Sequence, residues 1–472
     1  MQADILNRFA AVDEAAVDRV LAQEIAKNPD KLIALDDDPT GVQTVHGISV
    51  YTDWSQESVR AGFAEPGKLF YILTNSRGMT RERTRAVHEE IAAVVGRVSR
   101  ESGRPFVLLS RSDSTLRGHY PLETETLRRC LAAQGMQVDG EILCPFFKEG
   151  GRYTIDNVHY VRDGDQLIPA AQTEFARDRT FGYHHSAIPD YVEEKTGGAY
   201  PAAGVVCVPL EMLRRCDYDG VAALLAGVQN FGKVCVNAVD YCDLKVFAVA
   251  LYRAMAAGKR FLLRTAAGLV KVLGGVPDRP LLRREEMVRS AAGNGGMVVV
   301  GSHTEKTTEQ LRRLLTLPGV EPVAFDSDLV LSPAPVFEAE IRRCVARAEE
   351  ILRAGGTAVC YTNRKLLSLA QDSPEQALRR SVQISDGVQR LVGELTVTPA
   401  FVVAKGGITS SDIGTRALRV RRALVLGQIL PGIPVWQTGP ESRFSGVPYV
   451  IFPGNTGGPD ALRQAVKILQ QG

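Results

Sequence analysis

The chain has no C-x-x-C pair. Its eight cysteines are scattered singly between residues 130 and 360, so neither a zinc site nor a disulfide framework is indicated, and most sit in apolar runs as small hydrophobes. No uninterrupted apolar run is long enough to span a bilayer. The N-terminal stretch is amphipathic and carries acids, without the charged-then-apolar order of a signal peptide, and a cytoplasmic protein is expected. Charge of either sign is nearly balanced, with 56 Lys plus Arg against 54 Asp plus Glu, which argues against nucleic acid or a membrane surface as a bulk partner. Two phosphate-binding signatures are missing as well: neither G-x-x-x-x-G-K-[ST] nor G-x-G-x-x-G occurs, so the P-loop and the dinucleotide fingerprint do not apply. What remains, 472 residues with 45% hydrophobic and 23% charged, is ordinary globular composition, long enough for two or three domains.

The stretch 32–41, LIALDDDPTG, is where the chemistry is expected. Its apolar run has the length of a buried strand, and Asp36, Asp37 and Asp38 follow directly before the turn residues Pro39, Thr40 and Gly41. Adjacent carboxylates repel one another and resist burial, so they need water, a cation, a ligand hydroxyl or backbone N–H groups to satisfy them. The bland alternative is an Asx-type turn that caps the next element.

The same rhythm of apolar run, polar loop and helix recurs. Residues 4–28 read as one helix with an apolar stripe. Strands are expected at 47–51, 69–73, 106–109 and 141–144. The second of these ends in Thr74-Asn75-Ser76-Arg77 and the third in Ser112-Asp113-Ser114-Thr115-Leu116-Arg117-Gly118. Helices follow at 81–100 and 120–133, and Thr115, Arg117 and Gly118 suit an anion held at the start of the second helix. Residues 153–195 are polar and weakly periodic, as a lid or insertion would be. Its His184-His185 pair lacks a carboxylate or cysteine at a familiar ligand spacing. Strands at 204–208, 233–237 and 261–267 complete a first α/β unit, and 271–296, rich in Gly, Pro and Arg, reads as a linker.

A second α/β unit restarts at 297–303. Its strands at 322–325, 357–360 and 400–404 alternate with helices at 304–316, 336–353 and 374–395. It holds three loops of glycines and hydroxyls, at 405–410, 439–443 and 453–458. Such loops let backbone N–H groups approach phosphate oxygens with no side chain in the way. The expected fold class is α/β: two α/β domains with largely parallel sheets and an interdomain active-site cleft. Their boundaries would be 1–30 for a helical extension, 31–270, a linker at 271–296, and 297–472.

Asp37-Asp38-Pro39-Thr40-Gly41, 74–77, 112–118, 261–267, 300–303, 405–410 and 454–458 together resemble the four-carbon acid sugar kinase family, in that family's order over nearly the whole chain. The N-terminal extension and Pro39, where the family more often has a large apolar residue, depart from its pattern. The resemblance implies a sugar-binding N-terminal domain and a nucleotide-binding C-terminal domain. It also implies ATP-dependent phosphorylation of the terminal hydroxyl of threonate, erythronate or a 3-oxo form. Asp37, Asp38, Arg77, Asp113, Ser114, Thr115 and Arg117 would take the sugar acid, with Asp37 as the base. Ser302, Gly406, Gly407, Ile408, Thr409, Gly454, Asn455, Thr456 and Gly457 would take ATP. Mg²⁺ would accompany the nucleotide, its ligands unassigned, and a small-molecule sugar acid and ATP would be the partners.

Arg77 and Arg117 supply planar forks able to grip the acid's carboxylate. Two rival readings stand beside the kinase. Asp36-x-Asp38-x-Thr40 also satisfies the D-x-D-x-T of a haloacid-dehalogenase-like phosphatase, with Asp36 as nucleophile and Asp240 and Asp243 as metal ligands. A two-domain protein that binds a sugar acid without turning it over would share the architecture.

Overall fold

The computed structural model describes residues 1–288, 293–365, 367, 369, 373–454 and 456–470. They form two compact units. One comprises Met1–Thr44 and Asp53–Asp278, the other Val45–Thr52 and Arg279–Gly472. In chain order the first eleven strands are β1 (Lys31–Asp36), β2 (Ile48–Tyr51), β3 (Leu69–Leu73), β4 (Phe106–Arg111), β5 (Gly140–Cys144), β6 (Arg152–Ile155), β7 (Val158–Asp163), β8 (Gln166–Pro169), β9 (Val206–Val208), β10 (Gly232–Val236) and β11 (Phe261–Thr265).

In the first unit the order β3-β1-β4-β11-β5-β10-β9 is parallel throughout. Every residue of β1, β3 and β5 is buried, as expected of strands covered by helices on both faces, and this is why they read as unbroken apolar runs. The chain runs from β1 to β3 on one side and then crosses to β4 on the other. The strand order therefore reverses at β1, which is where open α/β sheets hold ligands beyond their carboxyl ends.

Residues 153–195 are not a bare loop. β6, β7 and β8 form a separate antiparallel sheet, and a helix follows at Ile188–Thr196. Tyr183, Ile188, Tyr191 and Val192 from this segment pack with Leu116, Tyr120 and Leu143. The expected single helix over 4–28 is divided into a 3-10 turn, Ala3–Asn7, and a helix, Glu14–Lys27. Asp13 restarts it by accepting the Ala16 amide at 3.0 Å, an N-cap that overrides the apolar stripe.

In the second unit the strands are β12 (Met297–Val300), β13 (Val320–Phe325), β14 (Thr357–Thr362), β15 (Val402–Lys405), β16 (Arg422–Leu430), β17 (Ile433–Thr438) and β18 (Pro448–Phe452). β13-β14-β12-β15-β18 are parallel. β17 and β16 continue antiparallel, an arrangement that the even alternation of strand and helix did not suggest. β2, read above with the N-terminal domain, pairs antiparallel with β16, Ser49 opposite Leu424. No helix among the described residues is long and apolar enough to cross a membrane.

Candidate active site

The aspartates emerge from β1 between two arginines supplied by its neighbours. Asp36 faces Arg111 in the β1–β4 register, and Arg111 Nη1 lies 2.9 Å from Asp36 Oδ1 and 3.4 Å from Asp37 Oδ1. Asn75, in the left-handed conformation at φ 55°, turns the chain after β3 into a short 3-10 segment, Ser76–Gly78. Arg77 sits in it and grips Asp37 with two hydrogen bonds, Nε to Oδ2 at 3.1 Å and Nη2 to Oδ1 at 2.6 Å. Its Nη1 lies 3.5 Å from Asp38 and 3.9 Å from Asp113. Asp38 also accepts the Thr40 amide at 2.8 Å and its hydroxyl at 2.5 Å.

These partners divide the three carboxylates. Burial pushes Asp36 up to about 7 against the pull of Arg111. Burial also raises Asp37, with Arg77 and Arg111 opposing. For Asp38 burial acts in the same sense, but Arg77 and Thr40 outweigh it and hold the group below the usual carboxylate range. Burial penalises the ionised form, and cations and donors restore it. Asp37 thus combines raised basicity with two-point orientation, the properties of a positioned proton acceptor.

The loop after β4 is held from several directions. Arg117 Nε donates to Asp113 Oδ2 at 2.8 Å, and the Thr115 hydroxyl donates to the same oxygen. Burial opposes the ionisation of Asp113, yet Arg77 and Arg117 hold it well below the usual carboxylate range. The Ser114 carbonyl meets His159 Nε2 at 2.7 Å. Tyr183 and Tyr191 donate their hydroxyls to the Thr115 and Leu116 carbonyls, each at 2.8 Å, so the 153–195 segment braces this loop. Gly118, at φ 117°, lets the backbone pass where a Cβ would stand 2.9 Å from Arg264 Nη2 and 3.4 Å from Asp37 Oδ2. Arg264, on β11, pairs with buried Glu123. Burial opposes the ionisation of Glu123, but Arg264 and its other donors bring it to about 2.

In the second unit β12, β15 and β18 lie side by side and parallel, so their carboxyl ends set Gly301-Ser302, Lys405-Gly406 and Gly454 next to one another. Gly406 has φ 117°, and a Cβ there would come within 3.3 Å of Ser302 Cβ. Ser302 Oγ lies 3.2 Å from Thr307 Oγ1 and 3.4 Å from Thr304 Oγ1. Lys405 is wholly buried. Its Nζ donates to the Pro453 carbonyl at 2.7 Å and the Gly454 carbonyl at 2.9 Å, fastening the third loop to the second. Burial, with Lys306 nearby, lowers its ammonium to about 7. A cavity of about 360 Å³ opens between these loops, lined by Gly301, Ser302, Gly406, Gly407, Ile408, Thr409 and Gly454 on one side and by Ile384 and Val388 on another. Gln310 Nε2 holds the Thr456 carbonyl at 3.1 Å, and Gly457 follows at φ 78°.

Asp37, Asp38, Arg77, Asp113, Thr115 and Arg117 are therefore brought together, and Ser114 enters through its carbonyl. Ser302, Gly406, Gly407, Ile408, Thr409 and Gly454 line one cavity. Thr456 and Gly457 are outside its lining, and Asn455 lies outside the described residues. The anion held by Thr115 and Arg117 is the protein's own Asp113. The loop at 439–443 does not line the cavity either. Asp36 is 1% exposed and occupied by Arg111, which denies it the reach of a nucleophile. Asp240 and Asp243 cap the helix Tyr241–Ala256, and Asp243 is gripped by Arg214 at 2.6 and 3.0 Å. The phosphatase assignment thus lacks both its nucleophile and its ligands. His184 and His185 both turn to Glu194, at 3.0 and 2.7 Å.

Sequence reasoning missed Arg111, Glu123, Arg264 and Lys405. The signal was present for three of them: FVLLSR, FLLRT and VVAK each carry a cation at the carboxyl end of an apolar run, and buried charges call for partners.

Residues 32–273 match the family described as a sugar-binding N-terminal domain, and residues 297–462 match a nucleotide-binding C-terminal domain. No curated protein matches the chain. Among solved structures, a protein of Salmonella typhimurium LT2 provisionally named a tRNA synthase aligns with a TM-score of 0.67. It is 14% identical over 92% of this chain and 98% of its own. A Haemophilus influenzae protein of the DUF1537 family aligns with a TM-score of 0.61, at 17% identity over 93% of this chain and all of its own. At such identities the likeness speaks for a shared fold. The two matched domains together span the sites built above, and the chain belongs to the four-carbon acid sugar kinase family.

Proposed function

We propose that the protein is an ATP-dependent kinase that phosphorylates the terminal hydroxyl of a four-carbon sugar acid, giving the 4-phosphate and ADP. The observation that carries this reading is Asp37. It is a buried carboxylate of raised basicity, oriented by Arg77 at the reversal point of the sheet in the sugar-binding domain.

Asp37 would accept the proton of the 4-hydroxyl as its oxygen attacks the γ-phosphorus. The new O–P bond forms while the bridging P–O bond breaks, and its electron pair leaves on ADP. Asp38, kept ionised by Arg77 and Thr40, would accept hydrogen bonds from the other sugar hydroxyls. In the second unit the backbone around Gly406 and Gly454 leaves room for phosphate oxygens, and Ser302 and Thr409 offer hydroxyls at the same cavity. Mg²⁺ brought in with ATP would neutralise phosphate charge. Since a loose transition state asks chiefly for alignment, the catalytic task of these groups is to position the hydroxyl and the γ-phosphoryl in line and to keep water out.

The test is ADP release from Mg-ATP with D- and L-threonate, D- and L-erythronate and the 3-oxo acids. Turnover with one acid, and little without it, is expected. ATP that binds but stays intact with every acid moves the substrate outside this class. Failure to bind ATP refutes the kinase reading.

A further inference from the structure

The arginines of the first unit differ in what they already hold. Arg77 gives two hydrogen bonds to Asp37 and its third nitrogen faces Asp38 and Asp113. Arg111 is shared between Asp36 and Asp37, Arg264 is committed to Glu123, and Arg117 holds Asp113. Each of these forks faces a protein carboxylate, so none is open for a bidentate ligand without displacing one.

Arg152 is different. It opens β6 directly after Gly151, which takes the left-handed conformation at φ 74°. Its guanidinium stands 5.5 Å from the centre of the Phe175 ring, the same ring that Arg117 covers at 5.0 Å. Its Nε is buried and has no hydrogen-bond partner. Asp113, the anion that acts on it most, has its ion pairs with Arg77 and Arg117, and no ion pair among the described residues includes Arg152. A guanidinium stays charged at any working pH. Largely withdrawn from water and in no ion pair of its own, it is a standing cost that an incoming carboxylate would relieve. The residue remains partly exposed, so such a group can reach it.

We propose that Arg152 is the specificity-determining residue of this site: it receives the carboxylate of the sugar acid across the Phe175 ring. Arg77, which the sequence pattern offers for that role, serves to orient Asp37. Asp37 is paired with Arg77, Arg77 lies by Asp113, Asp113 is held by Arg117, and Arg117 shares the Phe175 ring with Arg152, so a proton acceptor and a cation without an ion pair belong to one cluster of side chains. A sugar acid has the matching polarity, a hydroxyl at one end and a carboxylate at the other. This inference rests on the sugar-acid kinase reading.

The experiment compares the full-length protein with R152Q, R152K and R117Q. Binding of threonate and erythronate is measured by calorimetry, and kcat and KM are measured for these acids and for the neutral tetritols threitol and erythritol. Loss of a bidentate charge-assisted contact is expected to raise KM and Kd for the acid about 30- to 100-fold in R152Q. kcat and the KM for ATP should stay within about threefold, and the preference for acid over tetritol should collapse. R152K keeps charge and bulk without the fork, so it should weaken the acid in the same direction by a smaller factor and keeps the comparison valid should R152Q misfold. Unchanged acid affinity in R152Q and R152K, beside wild-type turnover, overturns the anchor alone. Loss of acid preference in R117Q and not in R152Q assigns the anchor to Arg117 and likewise overturns it. An unmodified protein that neither binds nor phosphorylates any of the acids overturns the kinase reading itself.

Discussion

Substituting Arg77 by glutamine tests the electrostatic account of the aspartate cluster without substrate. Arg77 supplies two hydrogen bonds to Asp37, at 3.1 and 2.6 Å, and lies 3.5 Å from Asp38. Asp37 is 3% exposed, whereas Arg77 is 21% exposed. Removing one partner of a buried pair costs roughly 3–5 kcal/mol because the remaining charge is stranded. Arg111, 3.4 Å from Asp37, compensates in part, so about 3 kcal/mol is expected at pH 8. The sign with pH follows from the two kinds of carboxylate. Burial already raises Asp37 above the unfolded value of about 3.9, and loss of Arg77 raises it further. The penalty for holding it ionised is therefore largest at high pH and shrinks as the group takes a proton on acidification. Asp38 and Asp113 are depressed with Arg77's help. The stability they lose in the variant is missing at all pH values above the unfolded range and ceases to matter only below about pH 4. In a W436F background Trp54 is the sole tryptophan and reports the first unit. Its urea midpoint should fall by about 1 M at pH 8, with a smaller fall at pH 5. A deficit that is the same at pH 8 and pH 5 would show that Asp37 is not the stranded charge and would refute this reasoning.

Asp37→Asn should lower kcat by about 10²–10⁴-fold, the usual contribution of a general base, with the Kd of the sugar acid within a few fold; a variant that still phosphorylates at near the wild-type rate removes Asp37 from the reaction. Gly406→Ala forces a Cβ onto a φ of 117° and against Ser302. That strain of roughly 1–3 kcal/mol should weaken ATP binding about tenfold or more in an equilibrium titration, with an unchanged circular dichroism spectrum. Lys405, lowered to about 7 by burial, is largely neutral at pH 8. ATP phosphates brought beside it should draw a proton on binding, read by calorimetry in buffers of different ionisation enthalpy. Lys405→Met should abolish that uptake, and equal uptake in both proteins would contradict the assignment.

The features legible in the sequence were those that local pattern dictates. Buried parallel strands announce themselves as apolar runs, and the loops after β1, β3 and β4 carry charge because they stand at strand ends. β16 and β17 were not legible: they adjoin in the chain as a hairpin turned at Pro431-Gly432, which the expected alternation of strand and helix passes over, and β2 is matched to β16 only in three dimensions. The charged residues were legible as a set but not as pairs. Arg77, Arg117 and Arg152 look alike in sequence; which of them is spent on Asp37, which on Asp113 and which is left over follows from where β3 and β4 end and where β6 begins. The same holds for Asp36, Asp37 and Asp38. Three adjacent identical residues acquire different acidities from Arg111, Arg77 and Thr40.

The membership of β2 in the second unit bears on how the protein is made. Ser49 and its partner Arg422 are 373 residues apart in the chain. At translation rates of about 5–20 residues per second, β2 leaves the ribosome roughly 20–75 s before the strand it pairs with exists. For that interval Ile48–Tyr51 lacks the partner it finds on β16. An unpaired strand is a ready template for wrong partners. The pairing of β2 with β16 must wait until one of the last-made parts of the chain has emerged, and a gene cut at the 278–279 junction would yield a second unit deprived of one of its strands.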